Sequence, residues 1–426
     1  MLIPFCVYMF SYSAALSGLN ANSDAVKQEL IEKEEKQSTV EGSIVDRKGE
    51  VITYAVTPGT PAECVYSAYG HLVGYNSVKY GSSGLRSRFG EYLFKGDSNG
   101  NGATIRLTTF NELQCAAYDA IEGMDGAVVA LNNQTGEILA LATTDASAKI
   151  DVNNLSNWQE LNSIDGFFIP NWKVALAPGS VMKVVTAAEI INKGWNNDTY
   201  YDSGTENIGG YSFHNAGDAA YGNLTLETAL VHSANTYFSS MTNKLGSYNV
   251  RAIDENFGIG RTLELDFTTI SSNHGIDDSS VVEIAASGFG QGKLLLTPIN
   301  IAMIGQAIAN DGVMLKPYLI SSIENCDGSI LVGESTVLNE SVSAETAEIL
   351  RGYLRTVASS YGIDEKYDLC AKTGTAELGV NNMYRAVFLS FNKDYTVVVV
   401  RNNTTNAGRS LAPIALELFD ILETME

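Results

Sequence analysis

The sequence predicts an α+β protein, with a five-stranded antiparallel sheet flanked by helices and preceded by a smaller β-rich N-terminal domain. Three observations carry this expectation. Two strongly apolar hairpins stand far apart, one near residue 130 and one near the C-terminus, and both read as buried strands. Helical periodicity fills much of the chain between them. A chain of 426 residues also exceeds what one ordinary hydrophobic core organises, so two folded units are expected. The divisions are 1–20 as an apolar leader, 21–123 as a stalk and non-catalytic N-terminal domain, and 124–426 as the main domain.

The leader comes first. From Met1 to about Gly18 no side chain is charged, and Leu2, Ile3, Phe5, Val7, Tyr8, Met9 and Phe10 make it strongly apolar. At 1.5 Å per residue roughly 18 residues reach about 27 Å, slightly short of a ~30 Å hydrocarbon core. A secretory signal carries Lys or Arg ahead of its apolar stretch, whereas the first basic residue here is Lys27. The expectation is a membrane anchor whose start lies upstream; a cleaved signal and a buried segment are the alternatives. Asp24 to Lys36 then reads as a solvated helical stalk.

Within the N-terminal domain, Gly42 to Ile52 predicts a hairpin turning near Lys48-Gly49. Gly84 to Leu93 predicts a short helix, with Arg86 and Arg88 on a solvated face. In the main domain, Ala127–Leu131 and Ile138–Ala142 flank the polar turn Asn132–Gly136. Ala386–Phe391 and Tyr395–Val400 flank Asn392-Lys393-Asp394, and Lys372–Glu377 supplies a fifth strand.

Composition excludes several functions. A formal charge of −22 with no concentrated run of Lys and Arg argues against a nucleic-acid partner. The cysteines Cys6, Cys64, Cys115, Cys326 and Cys370 show no CxxC spacing and no paired histidines, so neither a metal nor another cofactor is expected. Their odd count at wide spacing is no disulfide framework, although a single bridge stays open.

Three short strings carry the chemistry. In Ser180-Val181-Met182-Lys183 the serine opens a run to Ile191 in which 181, 182, 184, 185, 187, 188, 190 and 191 are apolar, so almost the whole helix is expected to be buried. Ser180, Lys183 and Thr186 form a polar stripe, with Lys183 one turn below Ser180 and within reach of its hydroxyl. A serine hydroxyl is a poor nucleophile without a base, and burial lowers the pKa of a lysine until its neutral amine can act as one. The helix start directs free N–H groups toward the serine, where an oxyanion would form. Taken alone, the string fits better a core helix with one satisfied lysine and a capping serine.

Ser233-Ala234-Asn235 follows a helical stretch and could push a hydroxyl and an amide into a cleft, Ser233 to relay a proton and Asn235 to bond Lys183 or a substrate amide. A turn or helix cap is the plain alternative. Lys372-Thr373-Gly374-Thr375 places glycine in a strand, which weakens it unless something must approach closely. Lys372 with the Thr373 and Thr375 hydroxyls can hold a carboxylate, provided the strand borders the cleft.

The ordered set, with its longer context, resembles the class B penicillin-binding proteins, the monofunctional peptidoglycan D,D-transpeptidases. Further matching stretches are Gly42–Gly49, Gly126–Leu131 with Thr135–Ala140, Gly288–Gly292 with Thr297-Pro298, and Ala309–Gly312. The resemblance implies the fold shared by penicillin-binding transpeptidases and serine β-lactamases. It implies Ser180 as the acylated nucleophile, Lys183 as its base, Ser233 and Lys372 as catalytic, and Asn235, Thr373, Gly374 and Thr375 as substrate-binding. The N–H groups of Ser180 and Thr375 would form the oxyanion hole. The implied donor is a peptidoglycan stem peptide ending in D-alanyl-D-alanine, β-lactam antibiotics would acylate Ser180, and a membrane glycan polymerase is an implied partner. The implied location is the cell membrane, with the catalytic domain outside the cytoplasm.

Two departures stand out. Arg86 occupies a position where relatives commonly carry glutamate, and Arg385-Ala386-Val387-Phe388 lacks a tryptophan often found before that phenylalanine. Among neighbouring activities, Glu160-Leu161-Asn162 and Tyr221-Gly222-Asn223 are like the deacylating strings of two β-lactamase classes but lie on the wrong side of Ser180 and Ser233. A carboxypeptidase differs only in whether water or an amine takes the acyl group. A non-catalytic β-lactam sensor or scaffold has no need of Lys183 or Lys372.

Overall fold

The computed structural model describes residues 36–425 except 78, 146–148, 165–168, 278, 326 and 378–382. The leader and nearly all of the stalk lie outside the described residues, and among those described no helix is long and apolar enough to cross a membrane.

The chain first builds the expected hairpin, β1 (Ile44–Val45) and β2 (Val51–Tyr54). Asp46 closes it by accepting from the Lys48 and Glu50 N–H groups, each at 2.8 Å, while Gly49 takes φ +87°, where a side chain would be strained. Strand β3 (Glu63–Cys64) extends β2, and β4 (Thr104–Leu107) runs parallel to β1. Helix α1 (Asn111–Ala120) then carries the chain to the main sheet; the Gln114 amide both donates to the Leu141 carbonyl and accepts from its N–H.

Between β2 and β4 the structure corrects one expectation. Residues 84–93 form two short helical turns, Gly84–Arg88 and Gly90–Leu93, and Arg86 is fully buried rather than solvated. Its Nε donates to Glu41 at 2.8 Å, Nη1 to the Gly74 carbonyl at 2.9 Å, and Nη2 to the Ala62 carbonyl. Five donors in a planar fork let one arginine satisfy a carboxylate and two carbonyls at once, which makes its burial tolerable.

The main sheet opens with β5 (Gly126–Asn132) and β6 (Ile138–Thr144). Helix α2 (Lys183–Asn192) follows a 3₁₀ turn, Gly179–Met182. Helices α3 (Leu226–His232) and α4 (Asn235–Asn256), the latter broken at Gly246, stand beside it, and α5 (Pro298–Ala309) is buried along its whole length. Strands β7 (Ile320–Glu324) and β8 (Ile330–Val332) come next, then α6 (Ala344–Ser360). The chain ends with β9 (Cys370–Glu377), β10 (Tyr384–Phe391), β11 (Tyr395–Thr404) and α7 (Ala412–Glu423).

The main sheet has the order β9-β10-β11-β5-β6, antiparallel throughout, from the five strands expected. Side chains alternate between its faces. Val129, Leu131, Val398 and Val400 pack in one layer with α2 and α5; Val128, Ala130, Val397 and Val399 pack in the other with Leu113 of α1 and Phe419 of α7. Strand β9 is an edge of this sheet, and the Gly179–Met182 turn packs beside it. The first sheet has the order β8-β7-β4-β1-β2-β3, so a segment some 200 residues downstream of β4 completes it.

Candidate active site

The Ser180 turn is set by glycine. Gly179 has φ +58°, and a Cβ placed there would lie 3.0 Å from the Thr375 backbone nitrogen on β9. This close approach brings the Ser180 turn against the strand edge. Within the turn the Lys183 N–H donates to the Ser180 carbonyl, and in 3₁₀ geometry residues three apart eclipse, so Ser180 and Lys183 share one face. Ser180 stays partly exposed. The run to Ile191 is buried as expected, and the polar stripe extends one step further to Glu189, which pairs with Lys193 at 3.1 Å.

Lys183 is completely buried. Its Nζ lies 2.6 Å from the Ser233 carbonyl, 3.1 Å from Ser233 Oγ and 2.8 Å from Asn235 Oδ1, with the rings of Phe238 and Phe289 at 5.6 and 5.8 Å. These described bonds tie the amine to the second motif rather than to the Ser180 hydroxyl. Burial, reinforced by the charge of Lys372, holds its pKa well below the ordinary lysine value. Through these contacts Nζ donates to the Ser233 carbonyl, the Ser233 hydroxyl and the Asn235 amide oxygen.

Ser233 ends α3 at φ +54°, a left-handed conformation uncommon for serine, and this turns both its carbonyl and its hydroxyl toward Lys183. Asn235 opens α4 and is held at both ends of its amide, since Nδ2 donates to the His214 carbonyl at 3.0 Å. The next residue is anchored too. Thr236 Oγ1 donates to buried Asp202 at 2.8 Å, and Asp202 also accepts from Asn215 Nδ2 at 2.8 Å and the Tyr221 N–H at 3.0 Å.

Lys372 of β9 is likewise buried, and its Nζ donates to Ser233 Oγ at 3.0 Å. One hydroxyl therefore touches two lysines that lie 50 and 139 residues from it in the chain. Gly374 faces the carbonyl of Pro178 so closely that any side chain would collide with it. Thr373 and Thr375 remain partly exposed on the other side of the strand. Thr375 Oγ1 accepts from the Gly408 N–H at 3.2 Å, and Thr373 Oγ1 lies 3.0 Å from the hydroxyl of Tyr361. Four of the eight expected site residues, Lys183, Ser233, Asn235 and Lys372, are joined directly by described hydrogen bonds, whereas Thr373 and Thr375 bond to Tyr361 and Gly408 instead.

The sequence reading assigned no role to three contributors. Phe289 and Gly290 lie in the Gly288–Gly292 string, which resembled the family without a stated role; here Phe289 faces Lys183, and Gly290, φ +82°, packs its Cα against the carbonyl of Gly179. Tyr361 follows α6 and no local pattern marks it.

A partly exposed serine on a helical turn, a buried amine and a bridging hydroxyl thus lie beside an edge strand, in a fold of the penicillin-binding transpeptidase class. The chain belongs to the penicillin-binding protein transpeptidase domain family, which matches residues 126–420. Among curated relatives, peptidoglycan D,D-transpeptidase PbpA of Mycolicibacterium smegmatis is 28% identical over 362 residues, covering 74% of this chain and 72% of that one. A crystal structure of the D,D-transpeptidase domain of a peptidoglycan glycosyltransferase from Eggerthella lenta aligns with TM-score 0.82 at 27% identity, covering 91% of this chain and 100% of that one. The penicillin G acyl-enzyme complex of penicillin-binding protein A from Mycobacterium tuberculosis also aligns with TM-score 0.82, at 23% identity over 91% of this chain and 100% of that one, and shows the same fold.

Proposed function

We propose that this chain is a peptidoglycan D,D-transpeptidase that works through an acyl-enzyme on Ser180. The observation that carries the reading is the Ser233 hydroxyl bonded to both Lys183 and Lys372. Ser180 Oγ attacks the carbonyl carbon between the last two D-alanines of a stem peptide, and Lys183 takes the hydroxyl proton. The oxyanion meets the N–H groups of Ser180 and Thr375; the close approach of Gly179 to the Thr375 backbone nitrogen supports this assignment. The proton passes through Ser233 to the leaving amine, the C–N bond breaks, and D-alanine departs. An amine of a second stem peptide then attacks the ester, gives up a proton by the same route, and releases Ser180 as a hydroxyl. Water in place of that amine gives a carboxypeptidase.

The same reading assigns substrate contact to Asn235, Thr373, Gly374 and Thr375, catalytic support to Lys372, and residues 124–426 to the transpeptidase unit with 21–123 as its support. It places the protein at the cell membrane, active outside the cytoplasm, beside a glycan polymerase. No cofactor or metal enters any step.

Intact-protein mass spectrometry after exposure to benzylpenicillin tests the chemistry. The wild type is expected to gain one penicilloyl adduct on Ser180, Ser180→Ala none, and Lys183→Ala one that forms about 10²–10⁴ times more slowly. An unlabelled wild type refutes the proposal, and a label that hydrolyses within seconds marks a β-lactamase.

A further inference from the structure

We infer that Asp202 is a positioning residue for the proposed reaction: buried behind the second motif, it fixes Asn235 so that the amide oxygen, and not the amide nitrogen, meets Lys183. The inference rests on the proposed transpeptidase reading and adds a residue that none of the three motifs contains.

The Asn235 amide has one workable orientation. Its Nδ2 donates to the His214 carbonyl at 3.0 Å, and a backbone carbonyl only accepts, so Oδ1 is left for the Lys183 amine at 2.8 Å. Turned by half a rotation, the amide would set its oxygen against the carbonyl oxygen and its NH₂ group against the amine. The orientation therefore depends on where the His214 carbonyl is held. His214 ends the strand Tyr211–His214, Asn235 opens α4, and 21 positions separate them in the chain.

Asp202 joins these two segments one residue further along each. Next to His214, Asn215 Nδ2 donates to Asp202 Oδ2 at 2.8 Å; next to Asn235, Thr236 Oγ1 donates to Asp202 Oδ1 at 2.8 Å. The Thr236 N–H completes the ring by donating to Asn215 Oδ1 at 3.2 Å. Asn215 has no freedom to turn, because its Nδ2 also donates to the Ala219 carbonyl at 2.9 Å while its oxygen faces that N–H. The Gly204 and Tyr221 N–H groups, at 2.9 and 3.0 Å, supply the other two bonds to the carboxylate. Asp202, Asn215 and Thr236 are all buried, so each of the donors that converge on these two oxygens loses its partner if the carboxylate is removed. A neutral amide at 202 offers one accepting oxygen where two are used.

The test measures second-order rates of benzylpenicillin acylation across pH, per folded molecule, on wild type, Asp202→Asn, Thr236→Val, Asn235→Ala and the double variant of Asp202→Asn with Asn235→Ala. Asp202→Asn is expected to slow acylation about tenfold and Thr236→Val about threefold, whereas in the Asn235→Ala background Asp202→Asn should add less than about twofold. The pH profile separates positioning from plain loosening. An oxygen that accepts from the amine favours its ammonium form, against the burial and the Lys372 charge that disfavour it. Weakening that contact moves the rising limb to lower pH in Asp202→Asn, whereas a site that merely loosens and admits water moves it up toward the ordinary lysine value. Asp46→Asn is the control: this carboxylate is also buried and accepts from the Lys48, Glu50 and Asn111 N–H groups, so its loss should lower the melting temperature at an unchanged acylation rate. Wild-type rates in Asp202→Asn and Thr236→Val, additive losses in the double variant, or a limb displaced upward would overturn the inference, and Thr236→Val alone decides it if Asp202→Asn does not fold. An unlabelled wild type rejects the acyl-enzyme reading and this inference with it; a labelled wild type matched by Asp202→Asn rejects the role of Asp202 only.

Discussion

Lys183 shows how one side chain acquires a function from its surroundings. An ammonium with no exposure, facing two phenylalanine rings and a second lysine, loses hydration that its carbonyl and amide partners only partly replace. The depressed pKa has a definite sign: the amine is protonated below that value and available as a base above it. Acylation by benzylpenicillin should therefore rise with pH through a limb set by Lys183, well below 10.5, the ordinary lysine value. Stopped-flow acylation rates measured across pH would show this; a limb found only near the ordinary value would mean the amine is not the base. Ser233 adds a conformational requirement, because only its left-handed backbone turns carbonyl and hydroxyl to the same amine.

The Ser180 turn depends on a second segment, around Gly290. Gly290 has φ +82° and lies against the carbonyl of Gly179, whose N–H donates back to the Gly290 carbonyl at 3.1 Å. Alanine at 290 would meet both a left-handed conformation, at about 1–2 kcal/mol, and a backbone collision. Gly290→Ala is expected to displace the turn and slow acylation about 100-fold or more, since small misplacements of a nucleophile have effects of that order. Gly292 provides the control. It shares a positive φ of +77° but has no atom nearer than 3.5 Å to its would-be Cβ, so Gly292→Ala should lose stability in a thermal melt while acylating at nearly the wild-type rate. Equal acylation losses in both variants would show that strain, not contact with Gly179, is what matters.

Across the molecule, the N-terminal region is organised around a buried ion pair rather than an apolar centre alone. Glu41 accepts from Arg86 Nε and from the Ala62 N–H at 2.7 Å, while Arg86 serves the carbonyls of Ala62 and Gly74. Removing one partner strands a buried charge, so Arg86→Ala should lower unfolding free energy by about 3–5 kcal/mol in chemical denaturation, with penicillin labelling retained by the folded fraction. Inverting both charges, Glu41→Arg with Arg86→Glu, should recover little, because a carboxylate at 86 would face two carbonyl oxygens. Full recovery would show that charge alone, and not the guanidinium fork, holds the region together. The return of β7 and β8 to the first sheet couples that region to the rest of the chain.

Much of this was legible before any coordinates. The hairpins at 126–144 and 384–404, the turn at Lys48-Gly49, and the placement of Lys183 one turn from Ser180 all follow from spacing within a few residues, because backbone geometry alone sets the periods of strands and helices. Arg86 was misread because a short polar string looks solvated until its buried acceptors, a carboxylate and two carbonyls, are known. The sequence by itself determined the strands, the Ser180 turn and the residue types of the three motifs. Tertiary structure alone decided that Ser233 joins two distant lysines, that Tyr361 meets Thr373, and that a downstream segment completes the first sheet. Local sequence governs which face of an element is apolar, whereas which faces meet depends on packing contacts between residues tens to hundreds of positions apart.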